Sequence, residues 1–445
     1  MERTGTTESV NRMLETVFLP RGLWVRQHFP AEKLEDPVRA LEAEFARPEI
    51  SGLVKPGMKI AVTAGSRGLA GYVPLLRGLV RLLQAQGAEP FIIPAMGSHG
   101  GATAPGQKEL LAAYGITEET VGAPVRATME VVEADRTEAG EPVWVDRYAW
   151  EADGIVLFNR IKPHTGFRGE YESGLVKMAA IGLGKQKGAE VVHAGGPARM
   201  AERVREFGTR AIRAARVLFG AATVENAYDQ VSRVRLLTRE ELFREEPLLL
   251  AQARGSMPRI MLEDLDVLVV ERIGKNISGP GMDPNITHTY LPGAAIESEL
   301  RAKRARRVAV LDLTEETHGA AMGIGMADTT TRRVFEKMDR DATYPNCLTG
   351  GVTVSAKLPM FFDNDSLAIQ AAVKTLGGVA GSQRSQEPES GMAGSRCRMV
   401  RIRDTLHLGE IWISEALVPE ARACPDIQIV SGLASLEFDQ DGNLL

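Results

Sequence analysis

Short apolar runs alternate with amphipathic stretches along the first part of the chain. Residues 59–64 (KIAVTA), 89–94 (EPFIIP) and 154–159 (GIVLFN) are short and apolar, which predicts buried strands. From Val73 to Gly87, leucines recur at helical spacing, and the glycine is a typical helix-terminating signal. Strands that alternate with helices favour a mostly parallel sheet.

The rest of the chain continues this pattern. Helical spacing covers 198–217, and further apolar strands are predicted at 266–271 (DVLVVE) and 306–314 (RRVAVLDLT). A chain of 445 residues is too long for one ordinary domain. We therefore predict an α/β fold of two domains, with mostly parallel sheets and Gly-rich strand-to-helix loops. We expect residues 1–255 to form an N-terminal catalytic and cofactor-binding domain, and 256–445 to form a C-terminal domain that closes an interdomain active-site cleft.

Composition narrows the class of protein. Hydrophobic residues make up 44% of the chain and charged residues 25%, which are ordinary values for a globular protein. The net charge is −5, and no basic or aromatic-rich strip is present, which argues against nucleic-acid binding. Because no run of about 18 apolar residues occurs, we predict no membrane span and a cytoplasmic protein.

The cysteines and one polar segment add little chemistry. Cys347, Cys397 and Cys424 are far apart, and no CxxC pair occurs. This favours free buried thiols in a reducing cytoplasm over a zinc site or a disulfide framework. Residues 380–396 are rich in Gly, Ser, Gln and Glu, which predicts a solvated surface loop.

Polar side chains with useful chemistry follow several of the predicted strands. They are Arg67, His99, His164 and Lys275. In open α/β sheets, ligands bind beyond the carboxyl ends of the strands. This shared placement predicts a ligand site more strongly than any one of the residues does.

Each of the first two residues has a functional and a structural interpretation. Arg67, in GSRG, can hold a carboxylate or phosphate through a bidentate guanidinium, or it can form a surface ion pair. His99, in GSHGG, titrates near neutrality and suits acid–base work, or it can be a loop histidine satisfied by its neighbours. The glycines around His99 allow a ligand to approach the backbone closely.

The stretch 159–193 concentrates further candidates. It holds His164, His193 and several lysines, with six glycines that suggest backbone close to a bound group. Lys177 lies in an apolar context, where it can snorkel or, if desolvated, become a nucleophile with a lowered pKa. Three histidines in three loops can also bind a metal, although the absence of HxH or HxxxH pairs weakens that interpretation.

Five features together resemble the nickel-pincer lactate racemase family of 2-hydroxyacid racemases and epimerases. They are GSRG after the first strand, GSHGG after the second, then PH, SGLVK, and a histidine sixteen residues beyond that lysine. The resemblance is good over roughly residues 55–195 and thinner afterwards. It implies a nickel-pincer nucleotide cofactor, a pyridinium-3-thioamide-5-thiocarboxylate mononucleotide that binds nickel.

The resemblance also implies a role for individual residues. Lys177 is expected to hold the cofactor covalently, and His193 to be the protein ligand of nickel. His99 and His164 are expected to be the acid/base pair, and Arg67 to bind the substrate carboxylate. Further cofactor contacts are expected from Ser173, Gly174 and Lys185, with Lys185 and Lys187 limited to phosphate or surface roles.

Two departures from the lactate enzymes make lactate doubtful as the substrate. Residues 165–172 (TGFRGEYE) form a longer segment, in which Arg168 and Glu170 can contact a larger substrate or form an exposed ion pair. The second-domain loop lacks the family's PLDxxxYQxxK-like stretch. We expect Lys275, Asn276 and Asn285 to form the second-domain wall of the substrate pocket, with Lys275 and Asn285 binding substrate.

The leading hypothesis is an isomerase that racemises or epimerises a 2-hydroxy acid by reversible hydride transfer to the lysine-tethered cofactor. One alternative is an oxidoreductase or elimination enzyme on the same scaffold. A second is a non-catalytic protein that binds the cofactor or an organic anion. The expected partners are a small 2-hydroxy acid and the cofactor-synthesis enzymes, and a homo-oligomer is left open.

Overall fold

The computed structural model describes residues 8–290, 296–378 and 396–445, and these form two compact units. Pro30–Met257 form one unit, called here the N-terminal unit. Pro258–Leu445, with the described residues up to Phe29, form the C-terminal unit. Most of the segment 380–396, predicted as a surface loop, lies outside the described residues.

The strands of the described residues, in chain order, are β1 (Gly22–Gln27), β2 (Lys59–Ala64), β3 (Glu89–Pro94), β4 (Val131–Arg136), β5 (Pro142–Asp146), β6 (Gly154–Arg160), β7 (Val217–Glu225), β8 (Val231–Thr238), β9 (Val267–Ile273), β10 (Arg307–Leu313), β11 (Thr329–Thr331), β12 (Met360–Phe362), β13 (Met399–Ile402), β14 (Glu410–Ser414) and β15 (Ile427–Ile429).

The α-helices of the described residues are α1 (Glu8–Leu14), α2 (Pro37–Phe45), α3 (Pro48–Ser51), α4 (Tyr72–Ala85), α5 (Ala104–Ala113), α6 (Glu118–Val121), α7 (Arg147–Glu151), α8 (Leu175–Lys177), α9 (Lys185–His193), α10 (Met200–Ala214), α11 (Arg239–Ser256), α12 (Pro284–Thr287), α13 (Glu297–Arg301), α14 (Arg332–Lys337), α15 (Arg340–Gly350), α16 (Asp365–Lys374) and α17 (Val418–Ala423). None of them is long and apolar enough to cross a membrane.

The N-terminal unit is built on a five-stranded sheet in the order β3-β2-β6-β7-β8. The first four strands in this order run parallel, and only β8 is antiparallel to its neighbour. The predicted α/β class with mostly parallel strands is therefore confirmed. Because β2, β3 and β6 run in the same direction, the loops that follow them leave the sheet at one edge.

Burial explains why these segments form strands and helices. Every residue of β2 and β3 except the first is buried, as expected for a parallel strand covered on both faces. Helix α4 buries one face, with Leu75, Leu79 and Leu83 in contact with the core. Two buried clusters, one on each face of the sheet, hold the layers together.

A small hairpin and an unusual helix complete the part of the fold that carries the candidate site. Strands β4 and β5 pair only with each other. The short helix α8 continues into a π-helical turn at Met178–Gly182, which leads to α9. Single π-turns are rare and often occur at functional sites.

The C-terminal unit contains an eight-stranded sheet in the order β12-β11-β10-β9-β13-β14-β1-β15. The five strands from β12 to β13 in this order run parallel to one another. Beyond them, each strand is antiparallel to its neighbour: β14 to β13, β1 to β14 and β15 to β1. The sequence ranges predicted for the domains place β1 in the N-terminal domain. It lies instead in the C-terminal sheet, since it pairs with β14 and β15, and no local pattern shows such distant pairing.

Candidate active site

The loop after β2 places Arg67 at the carboxyl edge of the sheet. Its backbone is held by the buried Tyr72, which accepts a hydrogen bond from Gly65 N at 2.6 Å, and by Tyr114, which donates to Ser66 O at 3.1 Å. The Arg67 side chain keeps exposed surface, yet it lies deep enough among protein atoms that burial, with repulsion from Arg160, lowers the pKa of its guanidinium.

The loop after β3 carries His99 and meets the loop after β2. His99 Nδ1 forms a short hydrogen bond with Ser66 Oγ, beside Arg67. A hydroxyl can donate or accept, so this contact is compatible with a proton on either ring nitrogen. Gln107 binds the glycine-rich backbone around His99, because its Nε2 donates to Gly97 O at 2.8 Å and to His99 O at 3.2 Å.

The loop after β6 carries His164 and closes on itself. Lys162 and Ser173 pair through two backbone hydrogen bonds, so residues 163–172 form a compact loop between them. The buried carboxylate of Glu172 accepts from His164 N at 2.7 Å and from Arg254 at 2.7 Å. This carboxylate organises the loop and was not among the residues predicted from the sequence.

The imidazole of His164 has a defined protonation state. Its Nδ1 accepts a hydrogen bond from Gly166 N at 3.0 Å, so the proton of the neutral ring lies on Nε2. The ring stacks on Phe167 with centroids 4.2 Å apart. Burial, then repulsion from Lys177 and Lys162, holds the pKa of His164 well below its ordinary value. His164 is therefore neutral at physiological pH.

Lys177 is a partly buried lysine with cationic neighbours, and the carboxylate of Glu172 acts on its pKa in the opposite direction. Burial, with repulsion from Arg67 and Lys162, lowers its pKa to about 8. Its Nζ lies 5.9 Å from the centroid of the Phe167 ring. Among the described residues, no carboxylate lies within ion-pair distance of this amine. A lysine of this kind is a nucleophile near neutral pH.

His193 ends helix α9 with one ring nitrogen occupied. Its Nδ1 donates to Ala189 O at 2.7 Å, so in the neutral ring Nε2 carries no proton and keeps its lone pair. Arg203 holds the carbonyls of Val191 and Val192 at the end of the same helix and binds Glu141 through two hydrogen bonds. Burial lowers the pKa of His193, so the ring is in the neutral form that a metal requires.

Mutual electrostatic effects show which candidates the fold brings together. Lys177 lowers the pKa values of both His164 and His193, and Arg67 lowers that of Lys177. His99 joins this group through Ser66. The five candidates lie in loops and helix ends of the N-terminal unit, with Arg67, His99 and His164 in the loops that follow β2, β3 and β6. Lys275, which was expected beside them, lies in the C-terminal unit.

A family model named lactate racemase N-terminal domain matches residues 25–199, the part of the chain that contains this cluster. Residues 25–199 therefore form a domain of the lactate racemase N-terminal type. The family resemblance predicted from the sequence is therefore confirmed. A comparison with curated proteins finds no significant match.

Two solved structures are similar to this chain. A lactate racemase apoprotein from Thermoanaerobacterium thermosaccharolyticum is 12% identical, with 81% of this chain and 96% of that chain covered and a TM-score of 0.48. A protein from Thermotoga maritima is 16% identical, with 59% of this chain and 69% of that chain covered and a TM-score of 0.40.

The lactate racemase resemblance predicts that Ser173 and Gly174 contact a cofactor. In the structure, each of them also contacts other residues of the protein. Ser173 uses its backbone to close the His164 loop. Gly174 packs against the buried Glu246, and a Cβ there would lie 2.1 Å from Glu246 Oε1. Gly182 is also constrained by packing, because a Cβ would lie 2.5 Å from Ala95 O. Close packing, not a bound group alone, thus explains part of the glycine content of residues 159–193.

Lys185 is not a surface residue, contrary to one role considered for it. Its side chain is 0% exposed and its Nζ lies 2.9 Å from Asp146 Oδ2, which is equally buried. It also donates hydrogen bonds to Pro94 O and Gln107 Oε1. Since these three oxygens occupy the ammonium group, Lys185 has no donor directed toward a cofactor. Lys187 instead lies 3.6 Å above the Trp144 ring.

Lys275 and Asn285 belong to the C-terminal unit. Lys275 follows β9, and its backbone N donates to Thr317 Oγ1 at 2.9 Å. Asn285 lies in α12, where Asp283 accepts from its backbone and from its side chain. Asn276 Oδ1 accepts from Thr314 Oγ1 at 2.7 Å. Their roles in substrate binding stay predictions.

Three other expectations concern metals, thiols and charged pairs. Among the described residues, no group of three or more His, Cys, Asp or Glu side chains is arranged to hold a metal. The three cysteines are free, and Cys424 is only partly buried. Glu170 forms an exposed ion pair with Arg205 at 3.6 Å, and Arg168 donates to His164 O at 2.9 Å.

Helix α11 contacts the loop that carries His164 and the start of α8, a role that the sequence did not predict. Pro247 lies inside this helix and cannot donate a backbone hydrogen bond, so the Phe243 carbonyl is open to another donor. Tyr171 donates to that carbonyl at 3.0 Å. Glu246 accepts from Val176 N at 3.1 Å. A proline and a glutamate inside a long helical pattern are the only signals of this role in the sequence.

Proposed function

We propose that this chain is an isomerase that racemises or epimerises a 2-hydroxy acid with a lysine-tethered nickel-pincer nucleotide. The observation that carries the proposal is Lys177. It is a partly desolvated lysine with a pKa of about 8, surrounded by two histidines and an arginine at one sheet edge. Roughly a tenth of such an amine is in the neutral, nucleophilic form at pH 7.

The side chains present fit the cofactor that the family resemblance implies. Lys177 would form the covalent link, and His193 would bind nickel through Nε2, because its Nδ1 is engaged with Ala189 O. A single histidine is enough, since the pincer supplies the other ligands. When bound, this group supplies a hydride acceptor and donor for the substrate carbinol carbon.

The chain's own residues would bind the substrate and move its hydroxyl proton. Arg67 would hold the carboxylate through its guanidinium. His99 and His164 would exchange the proton of the hydroxyl, each serving one enantiomer. Partial burial of Lys177 and His164 favours this work, because charges interact more strongly when water is excluded.

The test is turnover of a panel of 2-hydroxy acids by protein made together with the cofactor-synthesis enzymes. We expect inversion at C2, measured by chiral chromatography, for at least one acid and none for the Lys177→Ala variant. Net oxidation or elimination would favour the alternative enzyme on this scaffold. Binding of an acid without any turnover would favour the non-catalytic alternative and overturn the proposal.

Nickel content gives a second test. Replacement of His193 with Ala should abolish nickel retention and leave the adduct on Lys177, because the two residues hold different parts of the cofactor. Gln186→Ala, an exposed change in the same helix, is the matched control. Equal nickel in His193→Ala and in wild-type protein would refute the assignment of His193 as the ligand.

A further inference from the structure

Lys185 and Gln107 form a buried polar chain that ends at the His99 loop. The chain begins at Asp146, passes through the Lys185 ammonium to Gln107 Oε1, and continues from Gln107 Nε2 to the carbonyls of Gly97 and His99. The side chains of Asp146 and Lys185 are both 0% exposed. A buried ion pair is costly to maintain, which calls for a reason for its presence.

The three donors of the Lys185 ammonium are matched by three oxygens. These belong to Asp146, to Gln107 and to the carbonyl of Pro94, the last residue of β3. The same lysine starts α9 with a φ of 55°, a left-handed conformation that is unusual for a residue other than glycine. The ammonium group thus makes two hydrogen bonds, to Pro94 O and Gln107 Oε1, and an ion pair with Asp146.

The chemistry of these groups fixes the orientation of the Gln107 amide. An ammonium group only donates, so the amide must present Oε1 to Lys185 and Nε2 to the opposite side. On that side lie the two carbonyls of the His99 loop, which only accept. A reversed amide would place donor against donor and acceptor against acceptor.

The His99 loop requires such external support. Gly97, Gly100 and Gly101 all have positive φ values, and this glycine-rich backbone has more conformational freedom than an ordinary loop. The hydrogen bond between His99 and Ser66 depends on the position of this backbone. Gln107 is 0% exposed and lies in α5, a regular helix, so it provides a fixed reference point.

We propose that Gln107 and Lys185 are positioning residues that hold the His99 imidazole in place for the reaction, with Asp146 balancing the lysine charge. This rests on the proposed function only where it gives His99 an acid/base role. Burial raises the pKa of Asp146 and lowers that of Lys185, while their mutual attraction acts in the opposite direction on both.

The first test is Gln107→Met, which keeps the side-chain volume and removes both donors. A displacement of the imidazole by about 1 Å can cost on the order of a hundredfold in rate, so we expect kcat to fall about tenfold to a hundredfold with KM nearly unchanged. The imidazole resonances of His99 should shift in NMR spectra, and amide exchange at 97–101 should accelerate. The adduct on Lys177 and bound nickel should remain.

Gln84→Met is the matched control, because Gln84 also donates to a backbone carbonyl, that of Gly122, at 3.0 Å but is exposed. Unchanged kcat and unchanged His99 resonances in Gln107→Met would overturn the inference. If the wild-type protein inverts no 2-hydroxy acid, the proposed function fails, while the NMR and exchange measurements still decide the role of Gln107.

The double variant Lys185→Met/Asp146→Asn tests the other end of the chain. It removes the buried pair without leaving a lone charge, and Asn can still accept from Ala149 N as Asp146 does. We expect smaller His99 shifts and a smaller loss of kcat than in Gln107→Met, because the Gln107 amide loses the partner of its Oε1 but still donates to the carbonyls of Gly97 and His99. His99 resonances identical to wild type in the folded double variant would contradict a role for Lys185.

Discussion

The His99 and His164 loops contain the same kind of side chain in different electrical surroundings. His99 Nδ1 faces a hydroxyl, which can donate or accept, so both protonation states have a partner. His164 Nδ1 faces a backbone N–H, which can only donate, and burial, with repulsion from nearby cations, lowers the pKa of the ring. The Ser66 contact of His99 is therefore compatible with both protonation states, whereas His164 can take up a proton only when its Nδ1 loses the bond from Gly166.

This difference shows how two histidines in one site can have unequal chemistry. Protonation of His164 at Nδ1 breaks its bond from Gly166, so the His164 loop must adjust when that ring accepts a proton. At His99, the Ser66 hydroxyl can accept from Nδ1 or donate to it, so that contact persists in both protonation states. The following predictions test this contrast, beginning with the largest effect.

Loss of either imidazole should have the largest effect. His99→Gln and His164→Gln should each reduce racemisation by about 10²–10⁴-fold, the usual contribution of a positioned acid or base. Intact mass and metal analysis should show the adduct and nickel unchanged. A variant that keeps its wild-type rate would remove that histidine from the acid/base pair.

Glu172→Gln should disturb one loop and not the other. Its carboxylate accepts from His164 N, Gly169 N and Arg254, and an amide would turn a donor toward at least one of them. We expect about 1–3 kcal/mol lower stability in urea unfolding and a shift of the His164 NMR resonances alone. Glu170→Gln, exposed in the same loop, is the control. An equal shift of His99 would show that the loops are not independent.

Lys177→Met should raise the pKa of His164, because it removes the cation with the largest repulsion on that ring. NMR titration should find His164 closer to its ordinary pKa in this variant, with His99 little changed. An unchanged His164 pKa would contradict the electrostatic account.

The pH dependence of stability should reflect the depressed pKa of His164. The unfolded chain takes up a proton near pH 6.5, whereas the folded protein does so only well below it. The stability associated with neutral His164 is therefore present above pH 6.5 and is lost as the pH falls toward the folded pKa. His164→Gln should lose less stability than wild type between pH 7 and pH 5 in urea unfolding. Parallel curves would refute this.

Ser66→Ala should have the smallest effect. It removes the hydroxyl beside His99 but leaves the loop backbone, which Tyr114 and Gln107 hold. We expect about a tenfold loss of kcat, equivalent to about 1.4 kcal/mol, and a shift in the pH–rate profile. A profile identical to wild type would show that Ser66 does not influence the protonation of His99.

Local pattern was sufficient to predict the strands that position the candidate site and the loop residues at their ends. Apolar runs marked β2, β3 and β6, and one polar residue followed each of them. The supporting groups could not be predicted in the same way. Glu172 and Gln107 also contact Arg254 and Lys185, which are distant from them in sequence, and a buried lysine resembles a surface lysine in the sequence alone. The pairing of β1 with β14 could not be predicted either, because these two strands are distant in sequence.

The most direct measurement of the central claim is the intact mass of the full chain made with and without the cofactor-synthesis enzymes, followed by peptide mapping. The account predicts one added mononucleotide, located on Lys177 and absent from Lys177→Met. Lys185→Met/Asp146→Asn should keep the adduct, since Lys185 is buried and engaged by protein oxygens. An unmodified Lys177 under these conditions, or an adduct on another lysine, would contradict the account.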